Sequence, residues 1–498
     1  MQNVLRTGKK AGIIWAKTGG TTVEKTLNAD ILNTLPAADE QRSAELLRSA
    51  MSGSDVKFVV LDDDPTGVQT VHGVSVYTDW SYESMLAGFR EERRLFFILT
   101  NSRSFTAAHT EEVHRDIALA AARASRETGK DYVLVSRCDS TLRGHYPLET
   151  ETLRRVTEAE LGVKIDAEVL CPFFLEGGRY TIGDTHYVLS GDELVPAAQT
   201  EFARDATFGY SHSDLREYIE EKTCGAVSAA DVVSVSLDEL RRCDIEAVTQ
   251  KLLAAHDFTR VVVNAAAYSD VAVFAAAVYR ALGAGKRFIF RTAASLVREL
   301  GGVSARPLLT RSEMIERETG AGGAIVVGSH TEKTTRQLEM LRGVPGVEFV
   351  EFNSDLVTDE PAFAAETLRV RRAMEEIIRS GRTAVAYTCR REMKIPGDMP
   401  EGALLRSVKI SDAVQSLIGK LEVEPEFVLA KGGITSSDVG TLALGVRRAE
   451  VLGQICPGVP VWQTGAESRF PGIPFIIFPG NVGTDTTLRE AVERLLGI

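Results

Sequence analysis

The stretch FVVLDDDPTGVQT, residues 58–70, runs from four apolar residues directly into three aspartates. An apolar run of this length is typical of a strand buried on both faces. Three carboxylates a few ångströms apart repel each other unless a cation, a bound proton or a positively charged partner lies among them. The triplet Asp62, Asp63 and Asp64 therefore predicts either a solvated loop or a chemical site at the end of a strand.

Similar apolar runs recur from residue 56 onward. The clearest are VKFVVLD, GVSVYT, RLFFILT, DYVLVSR, DVVSVS, RVVVNA and RFIFRT in the first part of the chain, and AIVVGSH, VEFVEF, TAVAYT, FVLAKGG and PFIIFPG in the second. Segments of helical periodicity, such as 107–127, 237–255 and 270–282, lie between several of them. Alternation of this kind is typical of α/β architecture with largely parallel strands.

A stretch rich in glycine, proline and charge, 299–323, interrupts this alternation and is the best candidate for a linker. At 498 residues the chain is also too long for one ordinary core. We therefore predict two α/β domains with largely parallel sheets and an active site in the cleft between them. The expected boundaries are a first domain over 55–310, a second domain over 322–498, and an N-terminal helical extension over 1–54.

Charge and hydropathy exclude several classes of partner. The formal net charge is −12 and the basic residues are scattered, which disfavours nucleic acid. No stretch approaches the roughly 20 apolar residues that a membrane span needs. The six cysteines lie far apart with no CxxC pair, as expected for free thiols in a reducing compartment. We expect a cytoplasmic protein without nucleic-acid or membrane partners.

Two polar loops follow strands near the aspartate triplet. TNSRS, 100–104, contains Arg103, and SRCDSTLRGH, 136–145, packs arginines, hydroxyls and Asp139 into ten positions. In open α/β sheets, ligands collect at the carboxyl ends of strands. Hydroxyls and guanidinium groups suit a small polyol or an acid, since arginine can bind a carboxylate bidentately. The alternative for the second loop is a polar helix N-terminus capped by Asp139 or Ser140.

A third polar segment, PFFLEGGRYTIGDTHYV, spans 172–188. It gathers Glu176, Arg179, Asp184 and His186 around a glycine pair. No second histidine stands at ligand spacing from His186, so a hydrogen-bonded structural histidine is favoured over a metal ligand. The segment is equally compatible with a lid over the site.

The second domain carries three loops in which a strand runs through small residues into a helix. They lie in VVGSHTEKTTRQL (326–338), LAKGGITSSDVG (429–440) and FPGNVGTDTTL (478–488). Backbone N–H groups in such loops can hold phosphate. A glycine at one such turn can be purely conformational, but three in one domain favour a nucleotide site. GxxxxGK[ST] is absent and no GxGxxG follows a strand, which excludes a P-loop and disfavours a dinucleotide fold.

Three functional classes remain. In a kinase, an aspartate of the first domain would take a proton from a substrate hydroxyl while the second domain presents ATP. The spacing Asp62-x-Asp64-x-Thr66 also matches a haloacid-dehalogenase-like, Mg²⁺-dependent phosphatase, but no convincing acidic pair follows the later strands of that domain. A non-catalytic metabolite-binding protein would not need three glycine-rich loops. A kinase is favoured.

Eight motifs in this order resemble the four-carbon acid sugar kinase family, formerly a domain of unknown function. They are DDDPTG, TNSRS, RCDSTLRGH, GGRYT, VGSHT, KGGITSSD, PGVPVW and FPGNVG, and the resemblance covers roughly residues 56–497. It implies an acid-sugar-binding domain, an ATP-binding domain and phosphate transfer from ATP to a hydroxyl, with Mg²⁺ bridging the ATP oxygens. The expected partners are a sugar acid and ATP, and a homodimer is the candidate assembly.

The resemblance also assigns roles to residues. Asp64 or Asp63 would be the base. The sugar acid would be bound by Asp63, Arg103, Arg137, Asp139, Ser140, Thr141, Leu142 and Arg143. ATP would be bound by Ser329, Thr331, Gly432, Gly433, Ile434, Thr435, Gly480 and Asn481. No residue is assigned as a metal ligand.

This chain departs from the family pattern at several points. The additional Asp62 and the Pro65 depart from the commoner form of the aspartate motif, and Arg137 stands where members usually carry a lysine. Residues 1–54 have no counterpart in the shorter members. The substrate therefore stays open among threonate, erythronate and a related aldonic or oxo-acid such as an oxo-isoapionate.

Overall fold

A computed structural model describes residues 24–391, 400–480 and 482–498. The described part of the first half contains twelve strands and eleven α-helices. The strands are β1 (Leu27–Asn28), β2 (Lys57–Asp62), β3 (Val74–Tyr77), β4 (Leu95–Leu99), β5 (Tyr132–Arg137), β6 (Ala167–Cys171), β7 (Arg179–Ile182), β8 (Thr185–Ser190), β9 (Glu193–Pro196), β10 (Val233–Val235), β11 (Thr259–Val263) and β12 (Phe288–Thr292). The helices are α1 (Ile31–Thr34), α2 (Glu40–Met51), α3 (Tyr82–Arg90), α4 (Ala107–Thr128), α5 (Leu148–Leu161), α6 (Leu215–Lys222), α7 (Leu237–Arg241), α8 (Ile245–Ala254), α9 (Tyr268–Gly283), α10 (Ala294–Gly301) and α11 (Arg311–Met314).

The described part of the second half contains seven strands and five α-helices. The strands are β13 (Ala324–Val327), β14 (Val347–Phe352), β15 (Thr383–Thr388), β16 (Val428–Lys431), β17 (Arg448–Cys456), β18 (Val459–Thr464) and β19 (Pro474–Phe478). The helices are α12 (Glu332–Leu341), α13 (Glu360–Arg379), α14 (Pro400–Gly419), α15 (Gly433–Asp438) and α16 (Thr487–Leu496). A short π-helix, Val439–Ala443, continues α15.

The strands of both halves join in one sheet of fifteen strands. Its order is β10-β11-β6-β12-β5-β2-β4-β3-β17-β18-β19-β16-β13-β15-β14. Pairing is parallel from β10 to β3 and from β19 to β14. It is antiparallel in the middle, where β17 pairs with β3 and with β18, and β18 pairs with β19. The prediction of a two-domain α/β protein with largely parallel strands is confirmed, and the strands of the two domains form one continuous sheet.

Burial explains why the sequence pattern identified the central strands. Every residue of β2, β4, β5 and β12 is buried. Helices cover both faces of a parallel sheet, so its strands read as continuous apolar runs. The predicted helix over 237–255 is two helices, because Cys243 adopts a positive φ of 52° and the Asp244 side chain then caps α8. Among the described residues, no helix combines the length and hydropathy of a membrane span.

The segment before β2 contributes to the first half in two ways. β1 pairs with β9 and so extends a separate four-stranded sheet, β1-β9-β8-β7. Helix α2 is capped by the Asp39 side chain, and it buries Leu47 in the main core. The helical extension was predicted over 1–54, of which residues 1–23 lie outside the described part of the chain.

Candidate active site

The aspartate triplet stands where three parallel strands end together. Asp62 is the last residue of β2, and it pairs in register with Arg137 of β5 and Leu99 of β4. Arg103 follows β4 in a short 3-10 turn. The carboxyl ends of neighbouring parallel strands lie at one edge of the sheet. This register therefore brings Arg137 and Arg103 to the two sides of the triplet.

Two arginines resolve the electrostatic problem that the triplet poses. Arg103 binds Asp63 bidentately, with Nη2 2.7 Å from Oδ1 and Nε 3.1 Å from Oδ2. Its Nη1 lies 3.4 Å from Oδ2 of Asp64. Arg137 Nη1 lies 3.2 Å from Oδ1 of Asp62 and 3.8 Å from Oδ1 of Asp63. The three carboxylates are thus held together by two guanidinium groups rather than by solvent.

The three carboxyl groups differ in ionisation. Burial raises the pKa of Asp62 to about 7, against the opposing effect of Arg137. Burial also raises the pKa of Asp63, although Arg103 opposes it. Burial alone would raise the pKa of Asp64 as well, but Arg103 and two hydrogen bonds from Thr66 outweigh it and hold this pKa below its usual range. Asp64 is therefore the carboxylate that is ionised and able to accept a proton at neutral pH.

A cavity of about 420 Å³ opens beside the triplet and is lined by residues of both halves of the chain. Seven of the predicted catalytic and substrate-binding residues line it: Asp64, Arg103, Arg137, Asp139, Ser140, Thr141 and Arg143. Asp63 and Leu142 do not line it. Asp63 is buried beneath Arg103, and the Leu142 side chain packs in an apolar cluster with Tyr146.

Asp62 does not line the cavity either. Only 2 % of this residue is exposed, and a Cβ on Gly67 would overlap its carboxylate. A phosphatase nucleophile must be ionised and must reach its substrate. The buried position and raised pKa of Asp62 do not suit that role.

His186 holds the second polar loop in place. Its Nε2 lies 2.8 Å from the carbonyl oxygen of Ser140, and its Nδ1 lies 3.0 Å from Oγ1 of Thr181. Burial lowers the pKa of His186 to about 4, so the ring is neutral. Between 24 and 498, excluding 392–399 and 481, no group of three or more His, Cys, Asp or Glu residues could hold a metal ion. The geometry agrees with a structural histidine.

The 172–188 segment contributes directly to the cavity wall. Phe174, Glu176, Gly177 and Arg179 all line the cavity. Arg179 begins β7, whose small sheet lies outside the large one. The prediction had treated this segment as a lid or a structural element and had assigned no ligand to it.

A second cavity, of about 370 Å³, lies among the predicted nucleotide loops. Six predicted ATP-binding residues line it: Ser329, Gly432, Gly433, Ile434, Thr435 and Gly480. Thr331 does not; it caps α12, and its hydroxyl lies 3.5 Å from the Gly480 carbonyl oxygen. Asn481 lies outside the described residues. Gly433 and Gly480 line both cavities, so the two cavities meet at these glycines.

Two cations beneath these loops were not predicted. Lys431 ends β16 directly before the glycine pair and has no exposed surface. Its Nζ donates to the Pro479 carbonyl oxygen at 3.1 Å, and burial together with nearby cations lowers its pKa to about 7. Arg390 donates to the Ser329 carbonyl oxygen at 2.6 Å, while its buried Nη1 has no hydrogen-bond partner in the described part of the chain. Such groups favour an anionic ligand at this site.

The two halves of the site are in contact. An ideal Cβ built on Gly433 would lie 3.7 Å from Oδ2 of Asp64. Nearby, Asn101 Nδ2 donates to Ser437 Oγ at 2.7 Å. The ionised carboxylate of the first half thus faces the glycine loop of the second at the point where the two cavities meet.

Comparison with known proteins gives matches in both halves. Residues 58–300 match a family model described as a sugar-binding N-terminal domain, and 324–488 match one described as a nucleotide-binding C-terminal domain. No curated protein matches the chain significantly.

Two solved structures share the fold. One is a Haemophilus influenzae protein described under the family model DUF1537, with 18 % identity and a TM-score of 0.59, covering 88 % of this chain and 100 % of that one. The other is a Salmonella typhimurium LT2 protein provisionally described as a tRNA synthase, with 16 % identity and a TM-score of 0.62, covering 87 % of this chain and 98 % of that one. At these identities the likeness concerns the fold alone.

Proposed function

The chain belongs to the four-carbon acid sugar kinase family, and from this premise we propose that it transfers the γ-phosphoryl group of ATP to a hydroxyl of a small sugar acid. The observation that carries this proposal is the proximity of the Asp64 carboxylate to Gly433. A Cβ built on this glycine would lie 3.7 Å from Oδ2 of Asp64. This proximity supports a catalytic base in the sugar-binding half that faces a glycine loop of the nucleotide-binding half. We assign 55–310 to the substrate domain and 322–498 to the ATP domain.

Asp64 acts as the base in this mechanism. Its carboxylate accepts the proton of the substrate hydroxyl, whose oxygen forms a bond to the γ-phosphorus as the bond from that phosphorus to the β-phosphate oxygen breaks. ADP leaves, and Asp64 returns its proton to solvent. Phosphoryl transfer needs chiefly positioning and charge stabilisation from the protein. The low pKa of Asp64 keeps this carboxylate ionised and ready to orient the hydroxyl.

The nucleotide loops supply the positioning on the ATP side. Gly432 and Gly433 would approach the phosphates through their backbone, and Lys431 and Arg390 would add positive potential from below. The mainly apolar wall of the second cavity, which includes Val357, Ile410 and Val414, would bind the adenine ring of ATP.

A magnesium ion would neutralise part of the phosphate charge during transfer. Mg²⁺ is usually bound through substrate phosphates, waters and only one or two carboxylates. The cavity fits this requirement, because Asp64 and the Ser329 hydroxyl offer oxygen ligands on either side of the shared glycines. A site made of protein ligands alone is not needed.

A screen for ATP-dependent phosphorylation tests the proposal. The purified chain is incubated with ATP, Mg²⁺ and a panel of four- to six-carbon aldonic and oxo-acids, and ADP release and the phosphorylated acid are measured. We expect turnover with at least one acid and none without acid. ATP hydrolysis that no acid stimulates, or phosphate release from sugar-acid phosphates instead, would contradict the proposed kinase.

A further inference from the structure

We propose that Arg179 binds the carboxylate of the sugar acid, and that the other arginines of the cavity serve mainly to hold the aspartates. This inference rests on the proposed function, because it names the part of the same site that selects an acid. The sequence motifs had pointed instead to Arg103, Arg137 and Arg143.

Each of those three arginines already has a carboxylate partner. Arg103 is bound bidentately by Asp63, and Arg137 lies against Asp62. Arg143 Nε donates to Asp139 at 2.8 Å, and its Nη1 lies 3.9 Å from Asp205. A substrate carboxylate that displaced the aspartate from any of these guanidinium groups would leave a buried or half-buried carboxylate without compensation. Such an exchange is unfavourable, since an uncompensated buried charge is costly.

Arg179 differs from them because it has no carboxylate within 4.0 Å among the described residues. Its Nη1 donates to the Gly177 carbonyl oxygen, and its buried Nε has no hydrogen-bond partner in the described ranges. Burial lowers the pKa of Arg179 by more than the nearby Asp139 carboxylate raises it. An arginine carries five N–H donors in a planar fork. Arg179 therefore retains donors for an anion in the cavity that it lines.

The backbone holds Arg179 in a fixed place. Its N–H donates to the Phe174 carbonyl oxygen at 2.9 Å, and the Phe174 N–H donates back to the Arg179 carbonyl oxygen at 3.1 Å. The guanidinium carbon lies 5.7 Å from the centre of the Phe202 ring, and Phe174 and Phe202 both line the cavity. Arg179 is half-buried at this wall of the cavity. A bound carboxylate would gain charge-assisted hydrogen bonds from its guanidinium group there.

The comparison of an acid with its uncharged analogue measures this contact. Erythritol and threitol are erythronate and threonate with the carboxylate replaced by a hydroxymethyl group. Loss of a charged hydrogen bond typically weakens binding by about 10- to 100-fold. We expect wild-type protein to prefer each acid that it uses over the matching polyol by at least this factor.

The variants are Arg179→Gln and Arg179→Lys, with Arg123→Gln as the matched control. Arg123 also lies over an aromatic ring, 3.6 Å from the centre of Tyr82, but it does not line the cavity. In Arg179→Gln we expect KM for the acid to rise about 10- to 100-fold, with kcat and KM for ATP nearly unchanged, and the preference for acid over polyol to disappear. Arg179→Lys should restore part of the preference, and Arg123→Gln should resemble the wild type.

Calorimetric binding of each panel acid without ATP separates this inference from the proposed function. If acid binding depends on Arg179 but no phosphorylation occurs, the role of Arg179 in binding the carboxylate is supported and the proposed kinase activity is overturned. If a folded Arg179→Gln protein phosphorylates the acid with unchanged KM and unchanged preference for acid over polyol, the role of Arg179 in binding the carboxylate is overturned. The proposed kinase activity is then retained. If no acid of the panel is bound or phosphorylated by the wild type, both are overturned.

Discussion

Three adjacent aspartates occupy three different electrostatic environments at the residue scale. Asp62 is buried against Arg137, Asp63 is held bidentately by Arg103, and Asp64 lines the cavity with its pKa lowered. The sequence left the base open between Asp63 and Asp64. The geometry favours Asp64, because among the three aspartates only Asp64 lines the cavity proposed to bind the substrate.

Asp64→Asn should abolish most turnover, since the amide cannot accept the substrate proton. A positioned base typically contributes about 10²- to 10⁴-fold to the rate. We expect a loss of kcat in this range, measured by ADP release, with ATP-analogue affinity nearly intact by calorimetry. Asp131→Asn is the control, because 72 % of the Asp131 side chain is exposed at the opposite end of the sheet. Retained turnover in Asp64→Asn would remove this residue as the base.

Lys431 predicts a pH dependence of stability. Its pKa is about 7 in the folded protein and 10.5 in the reference state, so between these values the unfolded chain binds more protons. Stability therefore rises with pH across this window, and the cost of burying the charged form is full below pH 7. Relative to Lys431→Met, the wild type should gain about 2 kcal/mol between pH 7 and pH 9.

Chemical denaturation of both proteins at pH 7 and pH 9 measures this difference. Each comparison is made between proteins at the same pH, so the titration of other groups cancels. A difference in unfolding free energy that stays constant between the two pH values would show that Lys431 does not titrate in this window.

The sequence identified residue types at the site better than it identified their partners. Arg103 and Asp139 stand out because charged residues rarely follow buried strands without a reason. Arg179 was seen but not assigned a ligand, because its lack of a carboxylate partner depends on side chains distant in sequence. Lys431 was missed for a similar reason, since only the three-dimensional packing shows that no solvent reaches it.

At the scale of elements, the turn between β16 and α15 is a constrained part of the proposed nucleotide site. Gly432 has a φ of +125°, which L side chains rarely adopt, and a Cβ there would lie 3.2 Å from Oγ1 of Thr435. A strained backbone of this kind costs about 1–3 kcal/mol. The glycine is therefore required by both conformation and space.

Gly432→Ala should weaken binding of a non-hydrolysable ATP analogue by more than about 10-fold, because strain and crowding displace the loop. Gly53→Ala is the matched control, since Gly53 also has a positive φ of +80° but faces open space. The control should lose stability without losing nucleotide affinity, as measured by calorimetry. Equal affinity in Gly432→Ala and the wild type would show that this loop does not hold the nucleotide.

The parallel strands were predictable from the sequence, whereas the antiparallel ones were largely not. Many of the predicted runs correspond to strands buried along their whole length, such as β2 and β13. In β17, buried residues alternate with partly exposed ones, and its pairing with β18 shifts register twice. A strand with one covered face and an irregular register has no continuous apolar run. At the junction of the two halves, β3 was therefore predicted from its apolar run, whereas β17 was not.

At the scale of the whole molecule, the two halves share one sheet through β3 and β17. Ion pairs flank this junction: Arg93 lies 2.8 Å from Glu450, and Arg448 lies 3.3 Å from Glu91. Backbone pairing sets the relative position of the halves at one side of the cleft. Across the cleft, the contact between Asn101 and Ser437 lies near the meeting point of the two cavities.

The hydrogen bond between Asn101 and Ser437 should fix the position of the bound sugar acid relative to the bound nucleotide. Asn101 has a φ of 56°, so Asn101→Gly removes the amide while keeping a permitted backbone conformation. A net hydrogen bond of about 0.5–1.5 kcal/mol corresponds to a decrease of about 2- to 13-fold in kcat/KM for the acid. Ser437→Ala should cause a similar decrease, and the double variant should be no worse than either single one, because the same bond is lost. ATP-analogue affinity without acid should be unchanged in Asn101→Gly. Additive losses in this cycle would show that the two side chains act independently and that the sheet alone aligns the two halves.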